Sequence, residues 1–79
     1  MKPVKLELVQ KNGTICMLCG EDVGKHIQWH HLIPRYAGGD DSYENASLLC
    51  CSCHLKVHDF MYGDEEYTIY TEKILANKK

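Results

Sequence analysis

Cysteine and histidine gather at a few places along this chain, and their spacing is that of metal ligands. Cys16-Met-Leu-Cys19 and Cys50-Cys-Ser-Cys53 form two CxxC pairs about thirty residues apart. Each knuckle can present two thiolates to one ion, and two knuckles complete a tetrahedral site of four sulfurs. A slipped register satisfies the same spacing: Cys51 and His54 also have two residues between them, so Cys16, Cys19, Cys51 and His54 form a rival three-sulfur, one-nitrogen set. Four buried or redox-active thiols are the plainer alternative. The histidines fall at His30-His31 and at His54-Leu-Lys-Val-His58. Neighbours on a strand point to opposite faces, so one of His30 and His31 can ligate while the other faces elsewhere. His54 and His58 share a helix face at i and i+4, a geometry that grips one divalent ion. Three neutral imidazoles leave coordination positions open for water and substrate. The bland alternative is a set of solvated or core histidines.

The elements that must position these groups are short. Residues 4–10 carry Val4, Leu6, Leu8 and Val9, which fit a strand by alternation or a poor helix, and Asn12-Gly13 ends either. Residues 14–20 make a tight knuckle. Residues 26–33, rich in Ile27, Trp29, Leu32 and Ile33, read as a strand that Pro34 stops. Residues 36–43 carry Gly38-Gly39 and Asp40-Asp41-Ser42, a loop by composition. Residues 46–49 are a second short strand. Residues 52–61 are a helix that ends by Gly63. Residues 66–77 suit another helix, although the run from Tyr67 to Thr71 favours a strand at its start. The central order is strand, loop, strand, helix.

A chain of 79 residues is one domain at most and buries only a modest core. Such a chain needs a disulfide, a metal or a partner to fold. The odd number of cysteines, five, argues against full disulfide pairing. Lys2, Lys5 and Glu7 interrupt residues 1–10, which therefore lack the apolar stretch of a signal peptide. No run approaches transmembrane length. Together these features predict a cytoplasmic, membrane-free protein with reduced thiols. A structural zinc contributes on the order of 10–16 kcal/mol of apparent binding energy, more than so small a core.

The formal charge of −2 is not that of a typical polyanion binder. Four thiolates and one Zn²⁺ would lower it by two, and a second divalent ion on neutral histidines would restore it. A near-neutral balance predicts weak, poorly steered binding to nucleic acid, with a bound cation supplying local positive charge.

The ordered set Cys16-x-x-Cys19, Trp29-His30-His31-Leu32-Ile33-Pro34-Arg35, Gly38-Gly39, Asn45-x-x-Leu48-Leu49-Cys50-x-x-Cys53-His54 and His58 resembles the HNH endonucleases in their four-cysteine form. The likeness runs from about Lys5 to Asp59. It implies an α+β fold of the ββα-metal kind: two antiparallel strands and a helix around one catalytic metal, stapled by a structural zinc. It implies one domain, residues 1–79, with its core at about 5–62. The family pattern favours a helix for residues 4–10 and favours Cys50 with Cys53 over the slipped register.

The resemblance also implies roles. His31 matches the general base that activates water, and Asn45 matches the residue that orients that base by a hydrogen bond. His30, His54 and His58 match the ligands of the catalytic metal, His58 at the most variable position. Cys16, Cys19, Cys50 and Cys53 match the zinc ligands. Arg35 and Lys56 are candidate phosphate contacts by charge, with a solvated role as the alternative. The implied catalytic ion is Mg²⁺, Mn²⁺, Ni²⁺, Co²⁺ or Zn²⁺, and an all-nitrogen set favours the borderline ions. The implied activity is that of a DNA endonuclease or nickase, and small lone domains of this family occur in phages and mobile elements. Two other readings stand beside it. One is a non-catalytic zinc module that binds nucleic acid or protein. The other is a nuclease subunit whose protein partner supplies recognition, since so small a domain has little surface for base readout.

Overall fold

The computed structural model describes residues 3–79, and Met1 and Lys2 lie outside the described residues. The first element is helix α1, Val4–Asn12. Strand alternation loses to helical spacing here because Val4 and Leu8, four apart, face the core, and Leu8 is fully buried. Lys11 and Glu7 pair at 3.3 Å along the exposed side. Gly13 ends α1 at φ 74°, where its N–H reaches Val9 O at 2.7 Å.

Strand β1 spans Gln28–His31, shorter than the run of apolar residues around it. A 3₁₀ turn at Gly24–His26 occupies the beginning of that run. Past His31 the chain bends away, although Leu32 N still donates to Asn45 O at 2.8 Å. Strand β2, Ala46–Leu49, lies where the sequence puts it and pairs antiparallel with β1, His30 opposite Ser47 and His31 opposite Ala46. All four β2 residues are buried, so it shows no polar alternation. Ser47 is accommodated because its hydroxyl donates to His30 O at 3.1 Å.

Helix α2, Cys51–His58, follows β2 directly. Cys50 caps it, its sulfur accepting from Cys53 N. It ends before Gly63 because Asp59 and Phe60 close the last turn onto Leu55, Lys56 and Val57. Helix α3, Glu65–Asn77, includes the β-branched and aromatic run that favoured a strand. Helix wins because Tyr67 and Ile74, seven apart, are buried on one face with Tyr70 packed beside them. Glu65 and Glu66 suit its first turn. Its two ends are tied down: Tyr67 Oη donates to Leu32 O at 3.0 Å and Asn77 Nδ2 to Met17 O at 2.8 Å. Among the described residues the result is a small α+β fold with one two-stranded sheet and three α-helices. Among the described residues, no helix is long and apolar enough to cross a membrane.

Candidate metal centres and active site

The first cluster forms where the knuckle after α1 meets the start of α2. The sulfurs of Cys16, Cys19, Cys50 and Cys53 all lie within 4.8 Å of one another, with Cys19 and Cys50 at 3.8 Å. Disulfide sulfurs would be ~2.05 Å apart, and all five cysteines are free. A tetrahedron of ~2.3 Å zinc–sulfur bonds sets its corners ~3.8 Å apart, so the spacing fits a zinc ion. Backbone amides prepare the site for thiolates: Leu18 N and Cys19 N donate to Cys16 Sγ at 3.4 and 3.5 Å. Burial pushes the Cys16 thiol up, but the amides of Cys19, Cys50 and Leu18 outweigh it and bring the group down to about 7. Burial and the neighbouring sulfurs push Cys53 the other way. Four sulfurs this close cannot all ionise without a cation among them. Cys51 is exposed and outside the cluster, so the slipped register is not the one formed.

The second cluster bridges β1 and α2. The ligand nitrogens of His30, His54 and His58 lie within 4.8 Å of one another. The Nε2 atoms of His54 and His58 are 2.9 Å apart, near the ~3.0 Å of two ~2.1 Å metal bonds set at right angles. His30 is 3% exposed, and its buried Nε2 has no hydrogen-bond partner among the described residues. A buried nitrogen left unpaired is costly, and a metal ion is the partner this donor set suits. Burial first, then the charges of His54, His58 and His31, hold His30 down to about 3, so its ring stays neutral throughout the ordinary pH range. Burial and then His58 also lower His54. Gln28, at the start of β1, has its Oε1 2.6 Å from His54 Nδ1. That amide oxygen only accepts, so Nδ1 carries the proton and the Nε2 lone pair faces the cluster.

His31 is on the opposite face from His30, yet both line one cavity of about 310 Å³ with His58, Pro34, Tyr36, Phe60, Met61 and Tyr67. Its ring stacks on Trp29, centroids 5.0 Å apart and planes 16° off parallel. Its Nε2 lies 2.8 Å from Asp41 Oδ1. Asp41 in turn receives both its bonds to Arg35 from Nη2, at 2.9 and 2.7 Å. Arg35 is thus engaged by a carboxylate, whereas Lys56 is exposed on α2.

The expected hydrogen bond from Asn45 to the base histidine is not formed. Asn45 Oδ1 accepts from Ile33 N at 2.8 Å, and its Nδ2 donates to Ile33 O at 3.0 Å and Asp40 O at 2.8 Å. The side chain therefore staples the two ends of the loop between the strands. Gly39 makes this possible: a Cβ there would lie 1.6 Å from Ile33 O and 2.8 Å from Asn45 Nδ2. Sequence reasoning missed Gln28 and Asp41. Trp29 was legible as a same-face neighbour of His31, two residues away on a strand. For Asp41 the only signal was a carboxylate in a loop of turn-forming residues.

Two comparisons bear on this arrangement. A region of the restriction enzyme EcoKMcrA of Escherichia coli (strain K12), a type IV methyl-directed enzyme, is 34% identical to this chain over 62 residues. The match covers 70% of this chain, but the chain spans only 22% of that protein's length. The HNH endonuclease profile matches residues 16–60, from the first cysteine knuckle through both strands to the end of α2. Since that stretch is more than half of the chain and carries both clusters, the chain belongs to the HNH endonuclease family.

Proposed function

We propose that this chain is the cutting domain of a metal-dependent DNA endonuclease or nickase. The observation that carries the reading is the buried His30 ring, its Nε2 unpartnered among the described residues, packed edge-on against His54 and His58, with His31 lining a cavity shared with His30 and His58. The restriction activity named for the similar protein supports DNA as the substrate. Methyl direction belongs to that protein and is not carried over.

In this reading His30, His54 and His58 hold the catalytic divalent ion, and Cys16, Cys19, Cys50 and Cys53 hold a structural zinc. The ion, when bound, supplies Lewis-acid charge to the scissile phosphodiester. His31 accepts a proton from the attacking water as the water oxygen bonds to phosphorus. The bond from phosphorus to the 3′ oxygen breaks, and that oxygen takes a proton from solvent. The products are a 5′-phosphate and a 3′-hydroxyl. Asn45 contributes by bracing the loop beside His31 rather than by touching the ring. Residues 1–79 act as one domain in the reducing cytoplasm, where thiols persist as ligands. Recognition of a target comes from a protein partner, since so small a domain has little surface for base readout.

The test is His31→Ala on supercoiled plasmid at low salt, with each of several divalent ions. Cleavage should fall ~10²–10⁴-fold while zinc content and metal affinity at the histidines stay unchanged. His30→Ala should instead lose activity through loss of metal. If the wild type cuts nothing, the non-catalytic zinc module becomes the better reading. Equal cutting by His31→Ala refutes the role of His31.

A further inference from the structure

We infer that Asp41 is the positioning residue for the His31 ring, fixing its proton on Nε2 and leaving Nδ1 as the atom that accepts a proton from water. The inference rests on the nuclease reading above and adds the residue that sets which nitrogen works.

A neutral imidazole carries one N–H and one lone pair, and its neighbours decide which nitrogen has which. His31 Nε2 is 2.8 Å from Asp41 Oδ1. The hydrogen bond from His31 first, and then those from Arg35, hold the Asp41 carboxyl below its usual range. Asp41 is therefore ionised at working pH, and an ionised carboxylate only accepts. Nε2 must then donate, and Nδ1 keeps the free lone pair. The carboxylate is itself fixed, because the Arg35 guanidinium reaches both its oxygens at 2.9 and 2.7 Å. On its face the ring is held by Trp29, 5.0 Å away and nearly parallel. Stacking limits tilt, but it cannot stop the ring from flipping between its two nitrogens. A directional partner at one ring nitrogen does that, and Asp41 holds that place. Asn45, committed to Ile33 and Asp40, is not available for the task.

The experiment compares wild type, Asp41→Ala and Asp41→Asn as full, zinc-loaded chains. Long-range ¹H–¹⁵N correlation spectra at about pH 8, where an ordinary histidine is neutral, read the His31 tautomer directly. Plasmid cleavage at saturating metal is measured in parallel, with metal affinity as the control for the ligand set. Wild type should show the Nε2–H form alone. Asp41→Ala should show both forms and cut about a hundredfold more slowly, the cost of a misplaced catalytic group. Asp41→Asn keeps an acceptor oxygen at the same place and should restore the Nε2–H form and most of the rate. Unchanged tautomer in Asp41→Ala overturns the inference, as does a shifted tautomer with an unchanged rate. If wild type cuts nothing, the nuclease reading has failed, and the tautomer spectra still decide whether Asp41 orients His31.

Discussion

Gly39→Ala adds one methyl group and should cost far more than a methyl usually does. The new Cβ would sit 1.6 Å from Ile33 O, where real Cβ atoms keep at least 3.0 Å, so the backbone must give by about 1.4 Å. Ile33 O cannot yield freely, because it accepts from Asn45 Nδ2 at 3.0 Å. Asn45 Nδ2 cannot yield either, being itself 2.8 Å from the added atom. Relief therefore means breaking the staple. Three side-chain bonds of Asn45 and the bond from Gly39 N to Pro34 O are at risk. At a net ~1 kcal/mol for each hydrogen bond, the loss is about 3–4 kcal/mol. That is a large part of the ~5–15 kcal/mol that holds a small domain. Denaturant unfolding of the zinc-loaded chain measures it. Asn45→Ala removes three of these four bonds, so the double variant should cost much less than the two single costs combined. A Gly39→Ala protein within ~0.5 kcal/mol of wild type, or strictly additive costs, would refute the account of the loop.

Two further predictions follow from the metal clusters. Cys16→Ser should lose the structural metal and leave the chain unfolded, read by metal analysis and circular dichroism, whereas exposed Cys51→Ser should keep both metal and fold. Without metal at the histidines, acid should destabilise the fold through His30. The unfolded chain takes that proton near 6.5 and the fold refuses it until about 3, so stability is full above 6.5 and falls as pH drops between the two. The slope is at most ~1.4 kcal/mol per pH unit, and His30→Gln should flatten it in unfolding curves recorded across that range.

The chemistry of this chain was more legible than its wiring. Cysteine spacing and the i, i+4 histidines are properties of local geometry, and the four sulfurs and three imidazoles come together as that geometry implies. Strand β2 was equally plain, because Ala46–Leu49 is a short apolar run followed directly by a helix cap. The ambiguous ends of the chain were not decided locally. Val4–Asn12 and Glu65–Asn77 have mixed propensity, and tertiary burial of Leu8, Tyr67 and Ile74 chooses helix for both. The loop was least legible. Which of Asp40, Asp41 and Asn45 meets His31 depends on how two 3₁₀ turns and a bare Gly39 fold the chain back, a matter of ångströms that composition does not encode.

Helix α2 ties the two clusters to one rigid element. Cys50 caps its first turn, Cys53 lies in that turn, and His54 is the next residue. Gathering the sulfurs fixes the first turn of α2, from which His54 and His58 reach His30, with Gln28 holding His54 from β1. Under the proposed function this predicts an order of loading, metal at the four cysteines first and metal at the three histidines second.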